Sequence, residues 1–389
     1  MKLSVLDQSI AVRNTAASQA IVNSLDLARH CDRLGYHRYW VSEHHNTDSI
    51  VGSAPEVLMA AIAVSTARIR VGSAGVMLPH YATLKVAEQF RVLEALAPGR
   101  IDLGLGRAPG SDQLTAMALN PFGPGADQFP RQVVDLKAGV SGAPLDPDHP
   151  FAQVKAHPQG LTTPQLWILG SSDYGAQLAA YLGLPYAFAY FFSEGRGAEL
   201  ALNLYRRNFR PSAELSEPCA TICIWALAAD SEAQARHLLK TREHWRAGFE
   251  RGVRKPLISP EEADRHVYHP GEQQSVEAVR AAAIVGCADQ VAERIRALGR
   301  ALQLDEIVVN TWTFDHDARV HSYRLLARAF RLGAAEPKTA AGGHGASPRA
   351  SETGWQVHRP TPIGSGLASA NPRFEHGTTP DGELKALRL

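Results

Sequence analysis

Residues 35–46 read Gly-Tyr-His-Arg-Tyr-Trp-Val-Ser-Glu-His-His-Asn, and the order of features in this stretch decides the fold. Gly35 follows Ile21, Leu25, Ala28, Cys31 and Leu34, apolar residues at helical spacing, and stops that helix. Arg38 to Val41 then form a short strand of aromatic and β-branched residues. Directly behind it come Ser42, Glu43, His44, His45 and Asn46. A carboxylate, two imidazoles and an amide are costly to crowd behind a hydrophobic strand unless they are used; the plainer reading is a hydrogen-bonded loop. Helix, stop, strand and polar cluster together make the unit of a parallel α/β fold that keeps its functional side chains after the strands.

The same unit recurs outward along the chain. Strands are expected at 3–6, 38–41, 69–73, 101–105, 166–169, 186–191, 221–228 and 306–310. Helices are expected at about 83–96, 174–182, 198–209, 231–250, 289–302 and 317–331, and Ser53 with Pro55 opens another. Eight strands, each followed by helical material, predict an α/β TIM (β/α)8 barrel with insertions, of which 141–163 and 252–271 carry no motif. A doubly wound sheet with a second domain is the alternative. Residues 336–389 hold 8 Gly, 6 Pro and only seven Val, Ile, Leu or Phe. Such a segment cannot offset its ordering entropy by burial, so the chain divides into a barrel over 1–335 and a disordered tail over 336–389.

The 389 residues carry 40 Lys and Arg against 39 Asp and Glu, a formal charge of +1 that leaves no basic footprint for nucleic acid or an anionic membrane. No apolar run approaches the roughly 20 residues of a membrane span, and the N-terminus lacks a signal-peptide core. Cys31, Cys219, Cys223 and Cys287 fit no common zinc site and read as reduced thiols of a cytoplasmic protein. Only 8 lysines accompany 32 arginines, and none falls at the end of a strand, which argues against imine chemistry.

Each remaining strand end adds something. Behind the third lies Ala74-Gly75-Val76-Met77-Leu78-Pro79-His80, where Gly75 either lets the backbone approach a flat ligand or makes a plain turn. The fourth runs into Gly104-Leu105-Gly106-Arg107-Ala108-Pro109-Gly110. Its spacing is GxGxxxG and Pro109 interrupts it, so it is no dinucleotide fingerprint, yet a Gly-rich bend with one arginine suits an anion. After the fifth, Gly170-Ser171-Ser172 opens a helix, either as an ordinary serine cap or as a phosphate site made of free N–H groups and the helix dipole. Because these two strands are neighbours, Arg107 and the serine turn can hold one phosphate. His44 and His45, adjacent on extended chain, point opposite ways, so one faces the pocket and the other supports it. Asp7-Gln8-Ser9 stands where a zinc hydrolase of this fold would carry His-x-His, and no metal site is expected.

Taken in order, LSVLDQS, GYHRYWVSEHHN, RVGSAGVMLPHY, LEALAPGRIDLGLGRAPGSD, PQLWILGSSDYGAQLAAYLGLPYAFAYFF and VGCADQVAERIRAL with DEIVVNTW resemble the luciferase-like monooxygenase family across the first 335 residues. The resemblance implies a TIM barrel that binds reduced FMN (FMNH2), or in some branches the deazaflavin F420, at its C-terminal mouth. It implies that His44 lies near the flavin and handles protons, and that Ala74–Gly75 is a cis, non-proline peptide beneath the ring. Arg107 with Gly170, Ser171 and Ser172 would hold the phosphate. Gly106, in the cofactor-binding segment, stands where luciferase itself carries a reactive cysteine, and the long aldehyde-binding segments have no counterpart; both argue against light emission.

The implied reaction uses FMNH2 and O2 to oxidise a small organic substrate through a flavin C4a-peroxide in a dry site. His44, near its ordinary pKa, would deliver or remove the proton, with Glu43 orienting it or pairing with an arginine. Met77, Leu78, Tyr190 and Phe191 would form the dry wall or belong to the core. Electrons would come from a partner flavin reductase or from NAD(P)H, and a homodimer would form through the helices flanking strands two and three. An F420-dependent hydride-transfer dehydrogenase and a non-catalytic flavin-binding protein are the alternatives.

Overall fold

A computed structural model describes residues 1–121 and 125–333; the expected tail over 336–389 lies outside the described residues. The strands are β1 (Lys2–Asp7), β2 (Arg38–Val41), β3 (Arg70–Met77), β4 (Ile101–Gly106), β5 (Gln165–Gly170), β6 (Tyr186–Phe188), β7 (Ala220–Ala229), β8 (Ile284–Cys287) and β9 (Glu306–Asn310). The helices are α1 (Gln19–Leu34), α2 (Pro55–Ser65), α3 (Thr83–Leu96), α4 (Gln113–Leu119), α5 (Phe129–Ser141), α6 (Asp173–Leu182), α7 (Tyr190–Ser193), α8 (Ala198–Asn208), α9 (Glu232–Phe249), α10 (Pro260–Asp264), α11 (Pro270–Ala282), α12 (Ala288–Ala301) and α13 (His316–Phe330). None of these helices is long and apolar enough to cross a membrane.

All strand pairings are parallel. β1 to β7 follow one another around the wall, Tyr186 of β6 stands opposite Ala220 of β7, and β9 closes the ring between β7 and β1. The eight expected strands are therefore the eight staves of a TIM barrel, and the doubly wound alternative is excluded. β8 was not anticipated. Among the described residues it pairs only with the outer part of β7, Ala226 to Ala229, and so projects beyond the barrel wall. The sixth stave also ends earlier than expected: Phe188 closes it and Tyr190 to Ser193 turn into α7. On one side β5 ends opposite Phe188, at Gly170, and on the other the ladder with β7 stops at Ile222 although β7 itself runs on to Ala229, so the chain leaves the wall after Phe188.

Side-chain alternation separates two cores. Outward residues such as Leu3, Val5, Tyr39, Val71, Leu103, Ile168 and Ile307 pack against the helices in one continuous cluster. The inward set is smaller: Leu6, Trp40, Trp167, Ala187, Cys223 and Val308 fill the barrel. The Trp40 and Trp167 rings meet edge to face at 5.2 Å. Glycine makes room for them, since a Cβ on Gly72 would lie 2.6 Å from Trp40 Cδ1 and one on Gly104 would lie 2.2 Å from the Ser73 carbonyl oxygen.

Below the tryptophans the barrel is closed by charge. Arg38 bonds Asp102 at 2.8 Å and Glu306 at 2.9 Å. Arg70 adds two donors to Asp102 at 2.6 and 2.9 Å, Trp40 Nε1 another at 2.9 Å, and Ser4 donates to Glu306 at 2.6 Å. Two carboxylates buried this deeply are tolerable only because each is met by arginine and by further donors. With the N-terminal end plugged, ligands reach the barrel from the C-terminal end.

Candidate active site

At that end the inward positions change character. Gln8 on the β1 side, Ser42 and His44 after β2, Ala74 on β3, Gly106 on β4, Trp225 on β7 and Asn310 on β9 succeed the apolar interior by alternation. The β3–β4 side is therefore nearly free of side chains, and the β1–β2–β9 side is polar. The Ala74–Gly75 peptide is cis, as the sequence resemblance implied. A Cβ at Gly106 would press on Met77 Sδ at 3.0 Å. Asn310 gives its Nδ2 hydrogen to Gln8 Oε1 at 2.5 Å, while its own Oδ1 is buried with no partner among the described residues.

His44 and Glu43 occupy the expected place, but the pKa of the first and the contacts of the second differ from those expected. His44 Nδ1 lies 3.1 Å from Ser42 Oγ and its backbone N–H bonds the Gly52 carbonyl. Burial pushes its imidazole down to about 4; His45 and Arg254 add to this and Glu43 only partly opposes it. Near pH 7 His44 is neutral, and it does not sit at its ordinary pKa. Among the described residues Glu43 neither bonds His44 nor pairs with an arginine. Its Oε1 accepts from His45 Nε2 at 2.8 Å and from the Tyr81 hydroxyl at 2.6 Å, and its Oε2 from the Met77 N–H at 3.1 Å. Fully buried and met by three donors, it is a clamp between the β2 and β3 loops.

That clamp belongs to a wider set of ties which the spacing of residues did not reveal. His80 Nε2 meets the Pro109 carbonyl at 2.7 Å, the His45 N–H reaches Gly110, and Asn46 Nδ2 bonds Asp112 at 3.0 Å. The loops behind β2, β3 and β4 are thus held as one rim. Of the two adjacent histidines, His45 is the supporting one. His80 and Tyr81, within a stretch already singled out, and Gln8 and Asn310 across the mouth are candidate-site residues that sequence reasoning missed.

Arg107 and the serine turn come together across the β4–β5 edge. The Arg107 guanidinium lies 3.9 Å above the Tyr174 ring, on the first turn of α6. Ser171 and Ser172 are exposed, and Ser172 caps α6 without using its hydroxyl, which leaves the first-turn N–H groups open. An exposed arginine beside an open helix N-terminus is a donor set suited to a phosphate. Of the proposed dry wall, Phe191 packs against the barrel interior and Met77 lies beside Gly106, whereas Leu78 belongs to the outer core and Tyr190 packs on that core while lining a small cavity beside Phe191.

The sequence matches the family model for luciferase-like monooxygenases over residues 1–305. A luciferase-like monooxygenase of Escherichia coli K12 is 42% identical over 323 residues, 83% of this chain and 95% of that protein. The N-acetyl-S-alkylcysteine monooxygenase of Bacillus subtilis is 36% identical over 334 residues, 85% of this chain and 98% of that one. Among solved structures, apo-MsnO8 superposes with a TM-score of 0.77 at 34% identity, covering 85% of this chain and 98% of its own. Fold-level neighbours include the oxygenating constituent of 3,6-diketocamphane monooxygenase from Pseudomonas putida in complex with FMN, with a TM-score of 0.61, 18% identity and coverages of 84% and 97%. An F420-dependent secondary alcohol dehydrogenase has the same TM-score at 14% identity, with coverages of 84% and 98%. Barrel, mouth and relatives agree: the chain belongs to the luciferase-like monooxygenase family of oxidoreductases.

Proposed function

We propose that this protein is a flavin-dependent monooxygenase that takes reduced FMN at the C-terminal mouth and uses it with O2 to oxidise a small organic substrate. The observation that carries this reading is Arg107 beside the open N-terminus of α6, one strand away from the side-chain-poor surface of Ala74, Gly75 and Gly106. A mononucleotide flavin needs that combination, an anion anchor next to a flat apolar bed. Two relatives support it: one is named for monooxygenation of an N-acetyl-S-alkylcysteine, and a fold neighbour holds FMN.

When bound, reduced flavin supplies the electrons that activate O2. The chain supplies everything else. Arg107, Gly170, Ser171 and Ser172 hold the phosphate. Asn310 Oδ1, buried and unpartnered, offers an acceptor to a ligand N–H. The Trp40–Trp167 pair and Phe191 keep water from reaching the mouth through the barrel. His44 acts as a neutral imidazole, holding or accepting a proton at Nε2 while Ser42 engages Nδ1. Glu43 fixes the rim that carries it.

Electrons reach the site from a flavin reductase or from NAD(P)H, in a cytoplasm that keeps the four free cysteines reduced. The protein works as a homodimer that buries the apolar stripe of α2 and α3, where Val57, Val64, Leu84, Val92 and Leu96 are exposed. Fluorescence titration with FMN and with F420, followed by NADPH-driven oxygen uptake with an added reductase, tests the reading. Saturable FMN binding with substrate-stimulated oxygen uptake is expected. Selective F420 binding without oxygen uptake would replace it by hydride transfer, and binding of neither would refute it.

A further inference from the structure

Arg242 on α9 has no counterpart in the flavin reading. Its residue is only 8% exposed, yet among the described residues it makes no hydrogen bond and no ion pair. Of the nearby carboxylates, Glu243 is committed elsewhere and Glu194 makes no hydrogen bond among the described residues. Glu243 accepts both Nε and Nη2 of Arg280 at 2.7 and 2.8 Å, and Glu194 lies 3.9 Å from Arg246, which itself bonds Glu250 at 3.0 Å. What Arg242 does have is the face of Trp225, 4.3 Å from its guanidinium carbon. Cation–π attraction offsets only part of the cost of burying a guanidinium. Burial and the adjacent Arg246 accordingly pull its pKa down to about 9, against the weaker pull of Glu194 and Glu243.

Arg242 lines a cavity of 20 Å³ together with Tyr190, Phe191, Glu194 and Trp225, room for a group about the size of a water or one carboxylate head. Trp225 Nε1 is a second donor, buried with no acceptor. Glu194, the only carboxylate on that wall, faces Arg246. Phe191 packs both on the barrel interior and on the cluster that contains Trp225, so the cavity abuts the mouth. It does so on the β6–β7 side, whereas Arg107 and the α6 N-terminus stand at the β4–β5 edge. The mouth thus has two separate places for negative charge, and one phosphate cannot fill both.

We propose that Arg242, together with the Trp225 indole N–H, is the anion subsite for the organic substrate, which is therefore a small organic acid whose carboxylate or equivalent oxyanion enters this cavity while the rest of the molecule extends past Phe191 to the mouth. This deepens the monooxygenase reading and rests on it for the word substrate; anion binding at Arg242 does not.

The test is a tryptophan-fluorescence titration of the full-length protein, its Arg242→Met variant and its Arg242→Lys variant. The probes are N-acetyl-S-methylcysteine, its uncharged methyl ester, and inorganic phosphate, with FMN titrated separately. The wild-type protein should bind the acid about tenfold or more tighter than the ester, the return of one charge-assisted hydrogen bond. Arg242→Met should abolish that preference, Arg242→Lys should keep part of it, and FMN affinity should stay constant. Equal binding of acid and ester by the wild-type protein overturns the proposal, as does an acid preference that survives Arg242→Met. Saturation by phosphate but not by the acid overturns the organic-acid assignment, and a loss of FMN affinity in Arg242→Met would give the arginine to the cofactor instead. Should Arg242→Met fail to fold, the wild-type comparison and Arg242→Lys still decide. Failure of FMN to bind the wild-type protein would sink the flavin reading alone, because the acid–ester comparison needs no cofactor.

Discussion

Protonating His44 should cost the folded protein stability in a defined pH window, and this can be measured. The imidazole falls from an ordinary 6.5 to about 4 on folding, because burial, His45 and Arg254 disfavour the cation more than Glu43 favours it. A folded-state pKa below the unfolded one means that the unfolded chain takes up the proton first as pH drops. The contribution is therefore fully present above about pH 6.5, is lost between 6.5 and 4, and changes no further below that. At 1.36 kcal/mol per pH unit, a drop of about 2.5 units is worth up to about 3 kcal/mol. His44→Gln, a neutral side chain of similar reach, should lack this dependence. Urea unfolding of both proteins at pH 7.5, 6, 5 and 4 gives the comparison, since other titrating groups largely cancel in the difference. The wild-type protein should lose about 3 kcal/mol relative to His44→Gln across the series. A difference that stays constant with pH would refute the reasoning, and so would an acid limb in kcat/KM near pH 6.5 that vanishes in the variant. His44 should instead remain a competent neutral base down to about pH 5.

Other expectations rest on separate parts of the molecule. Arg107→Ala should weaken FMN binding by about 1.5–3 kcal/mol, and an unchanged Kd in a fluorescence titration would remove Arg107 from the phosphate site. Arg38→Met leaves Glu306 in the barrel floor without its arginine, with Ser4 as its hydrogen-bond donor, while Asp102 keeps Arg70 and Trp40; it should destabilise the fold by about 3 kcal/mol, and a Tm equal to wild type would contradict the role given to that network. Gly104→Ala places a Cβ 2.2 Å from a backbone oxygen, so a soluble variant with native melting behaviour would show that the close approach is not needed. A Val64→Asp and Val92→Asp double variant should turn a dimer into a monomer by light scattering, and an unchanged mass would place the interface elsewhere.

Much of the barrel was legible because its staves obey local rules. A β-branched or aromatic run with a helix behind it is visible at Arg38–Val41 or Glu306–Asn310 without any knowledge of neighbours. The sixth strand misled for the opposite reason: the aromatic alternation continues to Phe191, but β5 stops at Gly170 and the ladder to β7 ends at Ile222, and a strand without a ladder yields to a turn. Phe129, Val133, Leu136 and Val140 of α5 repeat at helical spacing, so that helix was readable and overlooked. β8 is four residues with a central glycine and leaves almost no trace in one dimension. At the site, residue types were readable and partners were not. Glu43 borders His44 in sequence, yet its bonds go to His45, to Met77 and to Tyr81, which lies 38 residues away. The pKa of His44 depends on burial and on Arg254, far along the chain, which spacing does not encode.

The way β8 is attached has a consequence for motion. Among the described residues its only ladder is four residues long, on the part of β7 that has already left the barrel wall, and the chain leading to it carries α9, α10 and α11. The Arg242 cavity is walled partly by this appendage and partly by α7, with the staves on the far side. The same segment is also tied to the mouth by the Val12–Leu257 bridge and by Leu239, Leu257 and Val279 packing on Ile10 and Trp312. These ties are still fewer than those of a closed ring of eight, so native-state amide exchange should divide the molecule into a slow ring and a faster flap. Breathing of that flap would admit and release ligands at the β6–β7 side while the plugged floor and the tied rim of loops hold still. Turnover and barrel stability are then set by different parts of the chain, and sequence change in α9 to α11 can retune the first without eroding the second.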